Sequence, residues 1–69
     1  MDGYEVIAKF KELGFAVIRI EGSHHIMKKE GHRNLLSVPV HGHTIVKRGT
    51  LRGLIRAAGV TPDFFFREC

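Results

Sequence analysis

The chain has 69 residues, of which 43% are hydrophobic, with two prolines, one cysteine and a formal net charge of +4. This size and composition exclude a disordered tail and a multidomain protein, so we expect a single domain over residues 1–69. No apolar stretch is long enough to span a bilayer, so no membrane partner is expected. The single cysteine, Cys69, cannot form an intrachain disulfide, which favours a cytoplasmic protein.

The first predicted element is a helix over residues 2–14. Asp2, followed three residues later by Glu5, is typical of a capping box at the start of a helix, and Gly14 suits its end. Apolar residues recur between them at helical spacing and predict one apolar stripe, formed by Tyr4, Val6, Ile7, Phe10 and Leu13.

Three short strands are predicted next. Residues 15–20 and 24–29 are rich in β-branched and apolar residues, and Gly31 in the loop that follows can adopt positive φ. Residues 34–40 form the third strand, in which Pro39 cannot donate to a ladder, so we expect a sheet edge or a strand end there.

A second helix is predicted over residues 50–59, beginning near Gly49 or Thr50 and ending at Gly59. A glycine inside a helix, here Gly53, costs about 1 kcal/mol relative to alanine, and we expect close packing of its backbone against the sheet to offset this cost. The buried stripe consists of Leu51, Leu54, Ile55 and Ala58, and a basic stripe on another face consists of Arg48, Arg52 and Arg56.

The chain ends in a predicted helical turn over residues 61–66, with Thr61 as its cap and Pro62 at its first position. The aromatic residues Phe64 to Phe66 either close one edge of the core or form an exposed apolar surface. The order of helix, three antiparallel strands and helix predicts an α+β fold, with both helices on one face of the sheet and solvent on the other.

Positive charge is concentrated in the middle of the chain. Residues 22–60 contain seven Lys or Arg against Glu30 alone, a net charge of +6. Such a block favours a polyanion, and nucleic acid is the natural partner. Every aromatic residue lies outside this block. We therefore expect recognition of RNA backbone and shape rather than base stacking, with weak sequence selectivity.

Three stretches in this order resemble the HicA family of toxin mRNA interferases: "GSHHIMKK" in the second strand, "VPVHG" at the end of the third, and "KRGTLRGLIRAAGV" in the second helix. The resemblance covers residues 4–60. It implies an α-β-β-β-α fold like that of double-stranded-RNA-binding domains, cleavage of mRNA in the cytoplasm without the ribosome, and a HicB-type antitoxin that binds and blocks the toxin. It also implies that His25, the second residue after the serine of the Gly-Ser motif, is catalytic.

Cleavage of RNA requires that the 2′-OH lose a proton and that the leaving 5′-oxygen gain one, and histidine can perform either transfer near neutral pH. With the resemblance, we expect His25 to act as general base or acid without a metal or other cofactor, giving a 2′,3′-cyclic phosphate. His24, on the opposite face of the strand, is expected to be structural. The residues expected to bind RNA offer positive charge or backbone N–H groups: Gly22, Ser23, Lys28, Lys29, His41, Lys47, Arg48, Arg52 and Arg56.

Two alternatives stay open. A non-catalytic module of the same fold would bind double-stranded RNA and would not need His25, whereas a protein-interaction domain would use Phe64 to Phe66 as a docking patch. The closely spaced His41 and His43 suggest a zinc site. The basic block, however, lacks cysteines and has few carboxylates to complete such a site, so no metal is expected. His43 and His32 are expected to be solvated loop residues.

Overall fold

The structure, a computed structural model, describes residues 1–61 and 63–66, without the side chains of Phe64 and Phe66. Pro62, expected at the first position of the last helical turn, and Cys69 lie outside the described residues. None of the described helices has both the length and the apolar character needed to cross a membrane.

The elements follow the predicted order, and each begins and ends within two residues of its predicted range. The three strands form one antiparallel sheet in the order β1-β2-β3, which confirms the α-β-β-β-α arrangement. Their bounds are α1 Gly3–Glu12, β1 Ala16–Glu21, β2 His24–Lys28, β3 Leu36–Pro39, α2 Arg48–Ala58 and a short α3, Asp63–Phe66.

Helix α1 begins with the predicted capping box. The Asp2 carboxylate accepts a hydrogen bond from the Glu5 backbone N–H at 2.9 Å, and the Glu5 carboxylate accepts one from the Asp2 N–H at 2.8 Å. The next residue, Gly3, lies against the end of β3, where an added Cβ would sit 2.5 Å from the Pro39 carbonyl oxygen. The start of α1 is therefore fixed by its cap and by a close backbone contact that requires glycine.

The core lies between the helices and one face of the sheet. Alternate residues of β2 and β3 point into it, and Met27, Leu36 and Val38 are each 0% exposed. Phe65 of α3 is also buried, with its ring centroid 4.7 Å from that of Phe10, so this part of the aromatic segment closes the core. The helices supply the remaining main contacts: Val6, Ile7 and Phe10 from α1, and Leu51, Leu54, Ile55 and Ala58 from α2.

Helix α2 begins earlier than predicted. Its N-cap is Lys47 and its first residue is Arg48, rather than the expected start near Gly49 or Thr50. At the other end, the left-handed conformation of Gly59, with φ of 72°, ends the helix as expected. The early start places one more arginine of the basic stripe on the helix.

The expected packing of Gly53 against the sheet is wrong. Gly53 is exposed, and an added Cβ would meet no described atom outside its own helix turn and chain neighbours within 4 Å. The reason is its position: the buried residues of α2, such as Leu51 and Ile55, occupy the opposite side of the helix. Packing within the described part of the chain therefore does not offset the cost of this glycine.

Candidate active site at the start of the second strand

The adjacent histidines His24 and His25 begin β2 and lie on opposite faces of the sheet. His25 pairs with Ile20 of β1 and Val38 of β3. Because Val38 belongs to the core, His25 lies on the helix-covered face, where it is half-buried. His24 is exposed on the open face, and its Nδ1 lies 3.0 Å from the Ser37 Oγ.

The ring of His25 has one enclosed nitrogen. Its Nδ1 is buried and has no hydrogen-bond partner among the described residues, whereas Nε2 is not enclosed. A neutral imidazole holds its proton on one nitrogen and accepts at the other. With a proton, Nδ1 would be a buried donor without an acceptor, and without one it is a buried acceptor without a donor. Unpaired buried donors are the rarer of the two in proteins, so the neutral ring favours a proton on Nε2. The group that can reach a substrate is therefore Nε2.

The residues just before β2 and just after β3 lie at the end of the sheet where His25 is found. Gly22, with φ of 62°, makes the tight turn before β2. Ser23 then accepts a hydrogen bond from the Val40 N–H through its carbonyl oxygen at 2.7 Å, and its Oγ lies 3.5 Å from the His41 Nε2. The structure thus places Gly22, Ser23 and His41 at the same end of the sheet as His25.

A groove of about 220 Å³ lies between this end of the sheet and the start of α2. No side chain of the described residues caps the helix at Lys47, and its first turn contains no acidic residue. The backbone N–H groups at a helix start carry partial positive charge, which adds to that of Lys47. The groove is lined by Pro39, His41, Thr44, Ile45, Val46, Lys47 and Thr50.

The structure does not bring Lys28 and Lys29 to His25. Lys28 pairs with Ala16 at the opposite end of β2, and three strand residues span about 10 Å. Its side chain also points to the open face of the sheet, as alternation from His25 requires. Lys29 lies with its Nζ 5.8 Å from the centroid of the Phe15 ring. Both lysines therefore lie farther along the sheet from His25 and not directly beside it.

The basic stripe of α2 leads away from the groove. Arg48, Arg52 and Arg56 are all exposed and follow one another at four-residue spacing. Arg52 and Arg56 line a second groove, of about 310 Å³, together with Ile55 and Val60. The stripe therefore offers positive charge along one side of the molecule, starting near the candidate site and continuing toward the other end of α2.

The expectation that His32 is a solvated loop residue is wrong. It is half-buried, and its Nε2 lies 2.9 Å from the Ala57 carbonyl oxygen near the end of α2. Its ring stands edge-on to that of Phe15, with centroids 5.4 Å apart. His32 is a structural residue that joins the β2–β3 loop to α2.

His43 is exposed as expected, yet it holds a partner that the sequence did not indicate. Its Nδ1 lies 2.9 Å from Oδ2 of Asp2, which is 41 positions away in the chain. This hydrogen bond, followed by the one from the Glu5 N–H, lowers the pKa of the Asp2 carboxyl below 3.8. Among the described residues, no three His, Cys, Asp or Glu side chains gather closely enough to hold a metal ion.

The chain is similar to a known protein family. The model of a protein family described as "HicA toxin of bacterial toxin-antitoxin" matches residues 3–60 of the chain. No curated protein matches the sequence. The matched region begins at α1 and ends just after α2, so it contains the whole sheet and the candidate site.

Proposed function

Since the chain belongs to the HicA family, whose members are toxins of bacterial toxin–antitoxin systems, we propose that it is a metal-independent endoribonuclease that cleaves mRNA in the cytoplasm. The observation that carries the proposal is the position of His25. It stands where the family resemblance puts the catalytic histidine, half-buried at the end of the sheet, with Nδ1 enclosed and Nε2 not enclosed.

In the proposed reaction, Nε2 of His25 takes the proton from the 2′-OH, whose oxygen attacks the adjacent phosphorus. The bond to the 5′-oxygen breaks, and that oxygen takes a proton from water or from His41. The products are a 2′,3′-cyclic phosphate and a free 5′-OH. A base at Nε2 carries its own proton on the enclosed Nδ1, so the reactive tautomer is the less stable one.

The RNA is proposed to bind where donors and positive charge gather, near the groove at the start of α2. His41 and Lys47 line the groove at the start of α2, and Gly22 and Ser23, whose backbone N–H groups we propose as donors, lie at the same end of the sheet, where the Ser23 Oγ is 3.5 Å from the His41 Nε2. Donors and cations fixed in this way stabilise the charge that develops on the phosphorane. Arg52 and Arg56 then hold the phosphates of flanking nucleotides, without reading bases.

Regulation is proposed to follow from the same placement. A HicB-type antitoxin that covers His25 and the groove would exclude RNA by occupying its site. Toxicity would return when the antitoxin is removed.

The experiment that tests the chemistry compares two substrates in excess chelator. Purified protein is incubated with a long single-stranded RNA, and the cleavage positions and product ends are mapped. A matched RNA then carries one 2′-deoxyribose on the 5′ side of a mapped phosphate. We expect cleavage with 2′,3′-cyclic ends in the first RNA and none at the modified position in the second. Loss of activity in chelator, or cleavage at the deoxy position, would contradict the mechanism.

A second candidate, a non-catalytic module that binds double-stranded RNA, is favoured by the exposed arginine stripe of α2 and by the fold. It predicts tight, salt-sensitive binding to duplex RNA and intact RNA at all times. The same incubation separates the two functions, because this module would leave both substrates uncut.

A further inference from the structure

The fold brings an aromatic residue of α1 beside the loop that follows β3. The rings of Tyr4 and His43 lie with their centroids 5.9 Å apart and their planes tilted by 54°. Tyr4 is 53% exposed, and the side chain of His43 is 89% exposed. We refer to Tyr4 and His43 as the ring pair. Because both rings lie on the surface, packing of the core does not account for their contact.

The ring pair is held in place although it is exposed. The Nδ1 of His43 lies 2.9 Å from Oδ2 of Asp2, and the same carboxylate accepts the N–H of Glu5 in the capping box of α1. Tyr4 belongs to the first turn of that helix. Side chains that are already fixed lose less conformational freedom when a ligand binds, which makes binding less costly. The ring pair is therefore a preorganised surface.

The ring pair adjoins the groove at the start of α2. His43 is one residue from Thr44, which lines that groove, and the Thr44 N–H donates to the His41 carbonyl oxygen at 3.0 Å across the turn. Asp2, which holds His43, also forms a β-bridge with Ile45, another residue of the groove lining. An RNA that places phosphates in the groove can therefore bring the base of an adjoining nucleotide to the ring pair.

The chemistry around the ring pair favours a base as its occupant. Asp2 and Glu5 lie at the same end of α1, and their carboxylates repel a phosphate. A base is uncharged, and stacking of unpaired bases on tyrosine and histidine rings is a common mode of RNA recognition. The adjacent groove, with Lys47 and the start of α2, supplies the positive charge that phosphates need. A protein partner would call for a larger apolar surface than two rings provide.

We propose that the ring pair is a stacking platform for one base of single-stranded RNA, next to the groove that holds the phosphates. The inference rests on the proposed function for its substrate class, RNA, but not on catalysis, because binding alone tests it. A duplex keeps its bases stacked on one another, so the platform selects unpaired RNA. Stacking accepts every base, which is consistent with weak sequence selectivity.

The proposal changes one expectation from the sequence. Recognition without base stacking was expected because every aromatic residue lies outside the basic block of residues 22–60. The fold brings Tyr4 to the edge of this block through its contact with His43. One stacking position is therefore added to the backbone contacts.

The test measures RNA binding without cleavage. The probe is a short oligouridylate with 2′-fluoro riboses and one central 2-aminopurine, a fluorescent base whose emission falls when it stacks. The 2′-fluoro groups replace the hydroxyl that attacks in the proposed reaction, so the probe stays intact with the wild-type protein. A second probe carries an abasic site in place of the 2-aminopurine. Affinities are measured by fluorescence anisotropy of an end label.

The wild type is compared with Tyr4→Ala, with His43→Gln, and with Tyr4→Phe, which keeps the ring. The matched control is Leu35→Ala, because Leu35 is 47% exposed and lies at the other end of the sheet, next to the Leu36–Met27 pair. Circular dichroism and thermal unfolding check that each variant is folded.

We expect Tyr4→Ala to bind the 2-aminopurine probe roughly tenfold more weakly and to lose most of the quenching seen in the wild-type complex. His43→Gln should change both quantities in the same direction. Tyr4→Phe and Leu35→Ala should stay within about twofold of the wild type. Tyr4→Ala and the wild type should bind the abasic probe equally, and their salt slopes should match, because no phosphate contact is removed.

Several results would overturn the proposal. Equal affinity and equal quenching in the wild type and Tyr4→Ala would place the base elsewhere, and so would a wild type that binds neither probe. An equal loss on the abasic probe would show that Tyr4 acts through the fold and not on a base. Unchanged RNA binding with an altered oligomeric state of Tyr4→Ala in sedimentation would assign the ring pair to contacts between protein chains.

Failure of the proposed function is read separately. A wild type that leaves long RNA uncut, while the probes behave as expected, would contradict the nuclease and retain the platform. Cleavage of long RNA by the wild type, with no effect of Tyr4→Ala on either probe, would retain the nuclease and contradict the platform.

Discussion

At the scale of single residues, the two ring nitrogens of His25 differ in a way that NMR can detect. Nδ1 is enclosed without a partner in the described part of the chain, so a proton there would be a buried donor with no acceptor. We predict that the neutral ring holds its proton on Nε2, as read from the ¹⁵N chemical shifts of the free protein above neutral pH. Exposed His41 serves as the reference. A dominant Nδ1–H form would show that Nδ1 has an acceptor and would contradict its unpaired placement, while leaving the ring in the form that a base at Nε2 needs.

The pair of Asp2 and His43 predicts a pH-dependent stability. The pKa of Asp2 is lowered below 3.8 in the folded chain, chiefly by the hydrogen bond from His43 and then by that from Glu5. A lowered carboxyl pKa stabilises the fold above the unfolded value, and this stabilisation is lost as the pH falls through the folded value. Asp2→Asn keeps an N-capping side chain but removes the charge.

We therefore expect Asp2→Asn to unfold at lower denaturant concentration than the wild type at pH 7, and the gap to close as the pH falls well below 3.8. Glu30→Gln, which removes a charge from an exposed loop, is the control and should change little. A gap that stays constant with pH would show that the charge of Asp2 contributes nothing.

At the scale of the elements, the same substitution at two helical glycines should have opposite effects. Gly53→Ala adds a Cβ that meets no described atom within 4 Å beyond its immediate neighbours, and we expect a gain of up to about 1 kcal/mol in the free energy of unfolding. Gly3→Ala adds a Cβ 2.5 Å from the Pro39 carbonyl oxygen, and we expect a loss of roughly 1–3 kcal/mol. Chemical denaturation measures both, and equal signs would contradict the packing described.

The elements were predictable because their signals are local. The capping box of Asp2 and Glu5 and the stop at Gly59 each depend on a few neighbouring residues and occur as expected. Which lysines and arginines lie near His25 was harder to predict, because it depends on the register of β2, which places Lys28 and Lys29 away from His25. Contacts between distant residues left no pattern in the sequence: His43 with Asp2, and His32 with the carbonyl of Ala57.

At the scale of the whole molecule, the uneven charge predicts how RNA binding responds to salt. Arg52→Gln and Arg56→Gln each remove one proposed phosphate contact, so each should weaken RNA binding and lower the slope of log affinity against log salt by about 1. Lys11→Gln removes the same charge from the exposed side of α1 and should leave the slope unchanged. Equal slopes in all variants, measured by fluorescence anisotropy, would show that the α2 stripe does not contact RNA.

The central claim is that His25, and not its neighbour, performs the chemistry, and one measurement tests it most directly. The cleavage rate of a long RNA in excess chelator is compared for wild type, His25→Ala and His24→Ala, each shown to be folded and to bind RNA. We predict that His25→Ala slows cleavage at least 100-fold, because it removes an acid–base group from the reacting atoms. His24→Ala, on the open face of the sheet, should stay within a few-fold of the wild type. Wild-type cleavage by His25→Ala, or an equal loss in both variants, would contradict the account.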